Sequence, residues 1–347
     1  MRMKDNKKRS VLFLLFLIIA GLGKTMSQEV NVGEIVFSHI KDSYEWHITQ
    51  WDNKEIAIPL PVIVHSPERG WFVFPSSELS HGKAYNGFFI ASSGAYEGKI
   101  LERNTAGDEI RPFDLSITKN VLGLMLSTFI LLFIVLKLAN WYKNKPLEAP
   151  SGRKGMIEML ILFIKDGVIK ENIGDDYLKY TTYLLTVFFF ILINNLMGLI
   201  PIFPFGANVS GNIAFTMVLA LSAFVVVSVA GTKHYWKEIY WPDTPLFLKF
   251  PIPIMPFVEI FGVFTKPFSL MIRLFANIMA GHTIILGLTC LIFVTVSLGV
   301  VVHSGMTVFS VLLTVFMNFI ELLVACIQAY IFTMLAAVYI GQARVRH

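Results

Sequence analysis

The sequence predicts an all-α polytopic membrane protein with a small β-rich domain at its N-terminal side. Of its 347 residues, 55% are hydrophobic and only 15% are charged, whereas a soluble domain usually has about 25% charged residues. Long apolar runs recur after residue 116, and basic residues are grouped between them, a pattern typical of membrane-spanning helices. The net charge of +5, without a basic block beyond the first residues, gives no indication of nucleic-acid binding.

Residues 1–27 have the pattern of a signal peptide. Residues 11–23 form an apolar core too short to span a membrane comfortably, and small residues around Ser27 offer a cleavage site. The alternative is a short uncleaved anchor, and both interpretations export the segment that follows. Basic residues precede the core, namely Arg2, Lys4, Lys7, Lys8 and Arg9.

Residues 28–115 are predicted to form a small β-rich periplasmic extension. Short β-like runs such as residues 56–64 alternate with turn residues. Its histidines lack the tight spacing of metal ligands, so surface or packing roles are favoured and no metal is expected. These histidines are His39, His47, His65 and His81. The only two cysteines of the chain, Cys290 and Cys326, lie in apolar runs and suggest no disulfide framework.

Residues 116–347 are predicted to form the membrane-embedded part, with about five transmembrane helices. The first three spans are residues 117–138, 180–200 and 212–230, and a basic loop at 143–170 separates the first two. Basic loops stay in the cytoplasm. This rule places the N-terminal extension outside, in agreement with the signal peptide, and the C-terminus inside.

The last two apolar runs, residues 268–302 and 307–340, are long enough to require steeply tilted helices. Each has about 35 residues, or roughly 50 Å of helix, against a hydrocarbon core of about 30 Å. A turn at residues 303–305 is expected to join them. Before them, five prolines in residues 242–256 predict a broken segment, and a short helical piece over 257–265 is expected to end near Pro267.

Arg273 is the most informative residue, because it lies in an otherwise uncharged apolar helix. A guanidinium cannot lose its proton, and its burial at the centre of a membrane helix costs roughly 2.5–3.5 kcal/mol. Such residues are usually functional and paired with an acid. Asn277 and small residues follow at helical spacing on one face, which we expect to meet a partner helix with a carboxylate. The small residues are Ala276, Ala280 and Gly281.

Other polar residues lie at membrane depth. His282 points about 180° away from Arg273, and Glu321 on the last helix could form a proton-passing pair with it. Gln328 follows Glu321 by seven residues on nearly the same face. Glu259, in the segment after the prolines, is a third ionisable candidate after His282 and Glu321.

Four motifs together resemble subunit a of the bacterial F-type ATP synthase. They occur in family order and spacing over residues 117–341. The hallmark is the run from Arg273 to His282, RLFANIMAGH, and the others are KPFSL at 266–270, NLMGLIP at 195–201 and QAYIF at 328–332.

The resemblance implies a stator subunit without a cofactor or bond-making chemistry of its own. Its partners would be a ring of c subunits, the b subunits of the peripheral stalk, the rest of the complex and the lipid membrane. Arg273, with Gln328 and Asn277, would meet the carboxylate of each c subunit and separate two half-channels. His282 and Glu321 would form the outer half-channel, and Glu259 would belong to the inner one.

The sequence departs from many bacterial members in two ways. In those members the acid and the histidine of the outer pair are exchanged, and an acid stands where this chain has Gly198. Two other classes of protein are alternatives: a secondary transporter whose arginine binds an anionic substrate, and an exported receptor domain on a membrane anchor. The chain shows no internal repeat of the kind common in transporters, and a receptor needs only one span.

Overall fold

The structure, a computed structural model, describes residues 41–51, 54–104, 108–200, 205–241 and 254–344, with no side-chain detail for residues 47–56, 81 and 254. The predicted signal peptide and most of the proline cluster lie outside the described residues.

The N-terminal region is β-rich, as predicted. Strands β1 and β2 form a hairpin, β3 pairs with β4 and β8, and β6 pairs with β5 and β7, all antiparallel. A small core centred on Val62, Val64 and Phe88 holds the sheets together. The strands are β1 Glu45–Trp51, β2 Lys54–Pro59, β3 Pro61–Ser66, β4 Gly70–Pro75, β5 Phe88–Ile90, β6 Ile100–Arg103, β7 Glu109–Ile110 and β8 Phe113–Asp114.

Helices make up nearly all of the rest of the described chain. Five helical stretches are long and apolar enough to cross a membrane, which confirms the predicted polytopic fold. The helices are α1 Lys119–Asn144, α2 Arg153–Ile164, α3 Tyr177–Leu199, α4 Ile213–Ala230, α5 Lys233–Tyr240, α6 Ile254–Val294 and α7 Val300–Arg344.

The basic loop predicted between the first two spans is wrong. Its middle is helix α2, which continues through a π-helical turn, Lys165–Lys170, and the short segment Glu171–Ile173. The run at 156–164 is apolar except for Glu158, and its inward side chains, such as Ile164, join the core of the bundle. Burial of this face stabilises a helix despite the flanking charges.

Two predicted breaks in the C-terminal region are also wrong. Helix α6 runs without interruption through Pro267, since neighbouring helices can re-satisfy backbone groups that a proline frees in a membrane helix. The turn between the long helices lies at Gly299, whose φ of +94° favours glycine. His303 is therefore inside α7, where its backbone N–H donates to the Gly299 carbonyl at 2.9 Å.

The long helices are even longer than predicted. Helix α6 has 41 residues and α7 has 45, or roughly 60 and 68 Å. They pack along each other, and α7 also packs against α3 while α6 packs against α4. The core of the bundle lies among these four helices and includes Ile191, Leu274, Phe332 and Ile340.

The β-rich domain is seated on one end of the helical bundle, which we call the domain end. Asp42 accepts a hydrogen bond from the backbone N–H of Asn120 at 3.0 Å, at the start of α1. Trp46 is buried with Ala207 and Val209, from the segment between α3 and α4. The start of α7 belongs to the same end, because successive long helices alternate in direction.

Candidate functional site

His282 of α6 and Glu321 of α7 are in contact between the two long helices. The histidine Nδ1 lies 3.3 Å from the Glu321 Oε1, and the side chains are 18% and 3% exposed. The two atoms are within ion-pair distance but not in hydrogen-bond geometry, and neither Glu321 oxygen has a hydrogen-bond partner in the described part of the chain. The structure thus brings together the acid and the base that the sequence predicted as a pair.

Gly281 provides the space for the Glu321 carboxyl group. A Cβ atom at Gly281 would lie 2.7 Å from Oε1 and 2.9 Å from the carboxyl carbon, closer than van der Waals contact allows. Gly281 therefore faces α7 of the same chain, rather than a partner helix as the sequence suggested. At 100° per residue, eight residues rotate it about 80° from Arg273, which turns it into the helix–helix contact.

We expect Gly281→Ala to disturb the pair and, with it, the proton transfer that the sequence predicts. The added methyl group must displace Glu321 or separate the helices, and overpacking of this kind costs about 1–3 kcal/mol. Proton uptake into inverted vesicles and the thermal stability of the purified complex measure the two effects. Gly287→Ala is the matched control on α6, because nothing lies within 4 Å of its Cβ position. Equal behaviour of the two variants would contradict this role.

Asn277 and Gln328 form a second polar contact between the same helices. The Asn277 Nδ2 donates to the Gln328 Oε1 at 2.8 Å, while Gln328 is 2% exposed. Asn277 itself is exposed. The hydrogen bond fixes the amide orientation of Gln328 next to the open side of α6.

Arg273 lies one turn before Asn277 and is half-buried. No carboxylate in the described chain is within ion-pair distance of its guanidinium. Its helical neighbours Ala276 and Ala280 are exposed, so α6 presents an uncovered stripe with one cation and small side chains. A half-buried guanidinium of this kind can accept a carboxylate from another chain without first breaking an internal pair.

Glu259 is not part of this group of residues. It lies 14 residues before Arg273 on α6, or roughly 21 Å along the axis towards the end opposite the domain. It is half-buried and close to Tyr235 of α5. Burial of Tyr235 raises the pKa of its phenol, and the Glu259 carboxylate adds to the rise.

A group of buried polar side chains lies towards the domain end and was not predicted from the sequence. Each has an atom without a hydrogen-bond partner in the described chain, although buried polar groups are normally paired. They are Asn194, Asn195, Asn208, Ser210 and Ser310. Unpaired amides and hydroxyls of this kind are suited to binding water in a polar path. No periodicity distinguishes them from packing residues, since, apart from the adjacent Asn194 and Asn195, their sequence neighbours are ordinary small or apolar residues.

Gly198 lies directly beside His282. The sequence alone assigned no role to this glycine. A Cβ atom there would be 3.7 Å from the His282 Nε2 and 3.6 Å from the Ala207 carbonyl oxygen. Ala207 in turn packs on Trp46 of the β-rich domain. His282 is therefore close to the β-rich domain, with Gly198 and Ala207 between it and Trp46.

The fold and the site define a class: a polytopic membrane protein with an acid–base pair and an unpaired arginine on two long adjacent helices. Residues 122–341 match the family described as ATP synthase A chain. The chain therefore belongs to the ATP synthase A chain family. Residues 35–117 match a separate family described as a domain of unknown function, DUF8433.

Curated relatives are similar over the same region. The ATP synthase subunit a of Chlorobium phaeobacteroides strain BS1 is 42% identical over 231 residues, or 66% of each chain. The relative from Myxococcus xanthus, with the same subunit name, is 39% identical over 300 residues, which cover 83% of this chain and 88% of the relative. The chain thus spans just under two thirds of the first relative and most of the second.

Proposed function

We propose that this chain is the proton-conducting stator subunit of an F-type ATP synthase in a bacterial inner membrane. The observation that carries the proposal is the contact between His282 and Glu321, with an unpaired Arg273 on the same helix. The histidine and the glutamate can transfer a proton, and the arginine supplies a fixed positive charge. The chain would therefore act without catalysing a bond-making reaction itself.

The outer half-channel would run from the domain end to His282 and Glu321. The reactive atoms of the two side chains are 3.3 Å apart, so a small rotation of either side chain, or one bound water, would let a proton pass between them. Asn194, Asn208 and Ser210, each with one atom that lacks a hydrogen-bond partner in the described chain, lie towards the same end. Water bound by these groups would connect the pair to the outside.

Arg273 would separate this half-channel from the inner one. On the uncovered stripe of α6, its fixed positive charge favours the deprotonated form of a carboxylate on an arriving c subunit. A proton cannot pass it directly, since guanidinium neither releases nor accepts a proton near neutral pH. Gln328 and Asn277, hydrogen-bonded at 2.8 Å, would orient polar groups around the incoming carboxylate.

The inner half-channel would include Glu259. Its distance from Arg273 and its place towards the opposite end suit a proton exit on the cytoplasmic side, and a half-buried carboxylate can exchange protons with solvent. Each proton that crosses releases about 2.3 kcal/mol per 100 mV of membrane potential. This energy would be delivered as rotation of the c ring.

The proposed orientation puts residues 28–115 in the periplasm and the C-terminus in the cytoplasm. Trp46 anchors the β-rich domain to the segment that also contacts Gly198 and thus approaches His282. Protons would consequently enter past the contact between the domain and the helices. The b subunits of the peripheral stalk would hold the chain against rotation.

Co-purification tests the assignment to the complex. A tagged full chain extracted in mild detergent should bring with it a two-helix proteolipid, b subunits and the catalytic subunits, identified by mass spectrometry. The same tag on an unrelated polytopic protein of the same membrane is the control. Isolation of the chain alone, with saturable binding of an organic anion abolished by Arg273→Ala, would instead indicate the transporter.

A further inference from the structure

A cavity of about 610 Å³ lies between the end of α1 and the start of α2, and none of the residues of the proposed proton path lines it. Its volume is within the range of about 300–1,000 Å³ found for small-molecule sites. Phe133 and Leu138 of α1 contribute apolar wall, and Lys137 and Trp141 line it from the same helix. The cavity therefore combines an apolar wall with a polar one.

The charged groups of the lining are all basic. Lys137, Arg153 and Lys154 line the cavity, and no acidic residue does. The acids on the neighbouring turns have other partners: Glu148 pairs with Lys145 at 2.5 Å, and Glu158 accepts a hydrogen bond from Tyr142. Three cations around one space favour an anionic ligand.

Trp141 adds an unused hydrogen-bond donor. Its Nε1 is buried and has no acceptor within the described part of the chain, although buried indole N–H groups usually have one. The Lys154 ammonium lies 3.9 Å from the centroid of the same ring. An oxygen atom of an anionic group would supply the missing acceptor beside this cation.

The start of α2 provides backbone donors as well. Gly152 is the N-cap and offers no side chain to cap the helix, whose first residue is Arg153. The first backbone N–H groups of a helix have no partner inside it and attract anions. Ser151, Arg153, Lys154 and Ile157, at the start of this helix, line the cavity.

We propose that this cavity binds the headgroup of an anionic phospholipid. The phosphate would contact Arg153, Lys154 and the Trp141 indole N–H, and the acyl chains would run along Phe133 and Leu138. Free phosphate could satisfy the polar half but not the apolar wall, which continues into exposed apolar side chains of α1 such as Leu136, 65% exposed. The site is independent of proton conduction. It lies at the end opposite the domain, and only the assignment of that end to the cytoplasmic leaflet rests on the proposed function.

The purified complex with the full chain, reconstituted into vesicles, tests this site. A minor fraction of brominated phosphatidylglycerol in phosphatidylcholine serves as a contact quencher of tryptophan fluorescence, and the same fraction of brominated phosphatidylcholine is the reference. The fluorescence of the wild-type complex minus that of the Trp141→Phe complex gives the signal of Trp141. We expect this signal to be quenched selectively by phosphatidylglycerol. Half-quenching should require roughly fivefold more lipid for each charge removed in Arg153→Gln or Lys154→Gln. Lys143→Gln, on the same helix end but outside the lining, should behave as wild type.

Each other outcome overturns the proposal. Equal quenching by both lipids would mean an apolar groove without headgroup selectivity, and quenching by neither would mean that another protein segment fills the cavity. Competition by inorganic phosphate would mean a free-anion site. If the variants fail to assemble, the selectivity of the wild type should fall with added salt, and selectivity that salt does not change would equally refute an ionic headgroup site.

Discussion

ATP-driven proton pumping is expected to be lost in Arg273→Ala while the complex still assembles. The guanidinium is half-buried beside small exposed residues, and its removal breaks no ion pair or hydrogen bond within the described chain. In the proposed mechanism, a c-subunit carboxylate would keep its proton as it passes a position without this positive charge, and the two proposed half-channels would lose their separation. Proton uptake into inverted vesicles measures the loss.

Two controls separate charge from structure in this experiment. Thr289→Ala changes another polar residue of α6 that bonds only its own helix, through the Ile285 carbonyl at 2.9 Å, and should pump normally. Arg273→Lys keeps the charge but replaces the planar fork with a compact, strongly hydrated ammonium, and should also pump poorly. Normal pumping by an assembled Arg273→Ala complex would remove the basis of the proposed mechanism.

Glu321→Ala is expected to slow proton conduction strongly, and exchange of the pair is expected to restore part of it. The carboxyl group is 3% exposed and in contact with His282 at 3.3 Å, so its loss leaves the histidine without a proton-exchange partner. The exchanged variant, His282→Glu with Glu321→His, keeps one acid and one base in the same place. It should conduct better than either single change if the two act as a unit.

The small space at Gly281 can affect the assembly of the variant in which His282 and Glu321 are exchanged. Histidine at 321 must fit where the carboxyl group now lies against Gly281, so the yield of assembled complex has to be compared in each variant. Asn318→Ala is a matched control on α7, since Asn318 is exposed and bonds only the Thr314 carbonyl, at 2.8 Å. A double variant no better than the worse single variant would mean that His282 and Glu321 do not conduct as a pair.

The sequence was sufficient for the number of spans, the β-rich extension and the presence of Arg273 and Glu321 within apolar helices. These features depend on local composition and on the cost of a charge in hydrocarbon, which one helix alone determines. Arg273 and Glu321 are conspicuous because a charged side chain in an apolar membrane helix has a high free-energy cost. For the same reason the family motif around Arg273 could be recognised without knowledge of any contact.

The sequence was insufficient where packing between helices overrode the local conformational preference of a segment. Pro267 predicts a break, but α6 is continuous because the surrounding bundle tolerates the missing hydrogen bond. The basic residues at 143–170 predict a loop, but the apolar residues between them gain enough from burial to form α2. In each case packing against other helices outweighs a preference of about 1–3 kcal/mol.

Residue spacing placed Arg273, Asn277 and Gly281 on one helix face, but the tertiary structure divided that face. Arg273 remains on the open side, Asn277 bonds Gln328, and Gly281 makes room for Glu321. The sequence thus determined which groups can carry a proton, through their chemistry and depth. Only the way α6 and α7 pack decided which of these groups touch, because periodicity gives an angle around one helix and contains no information about the helix opposite.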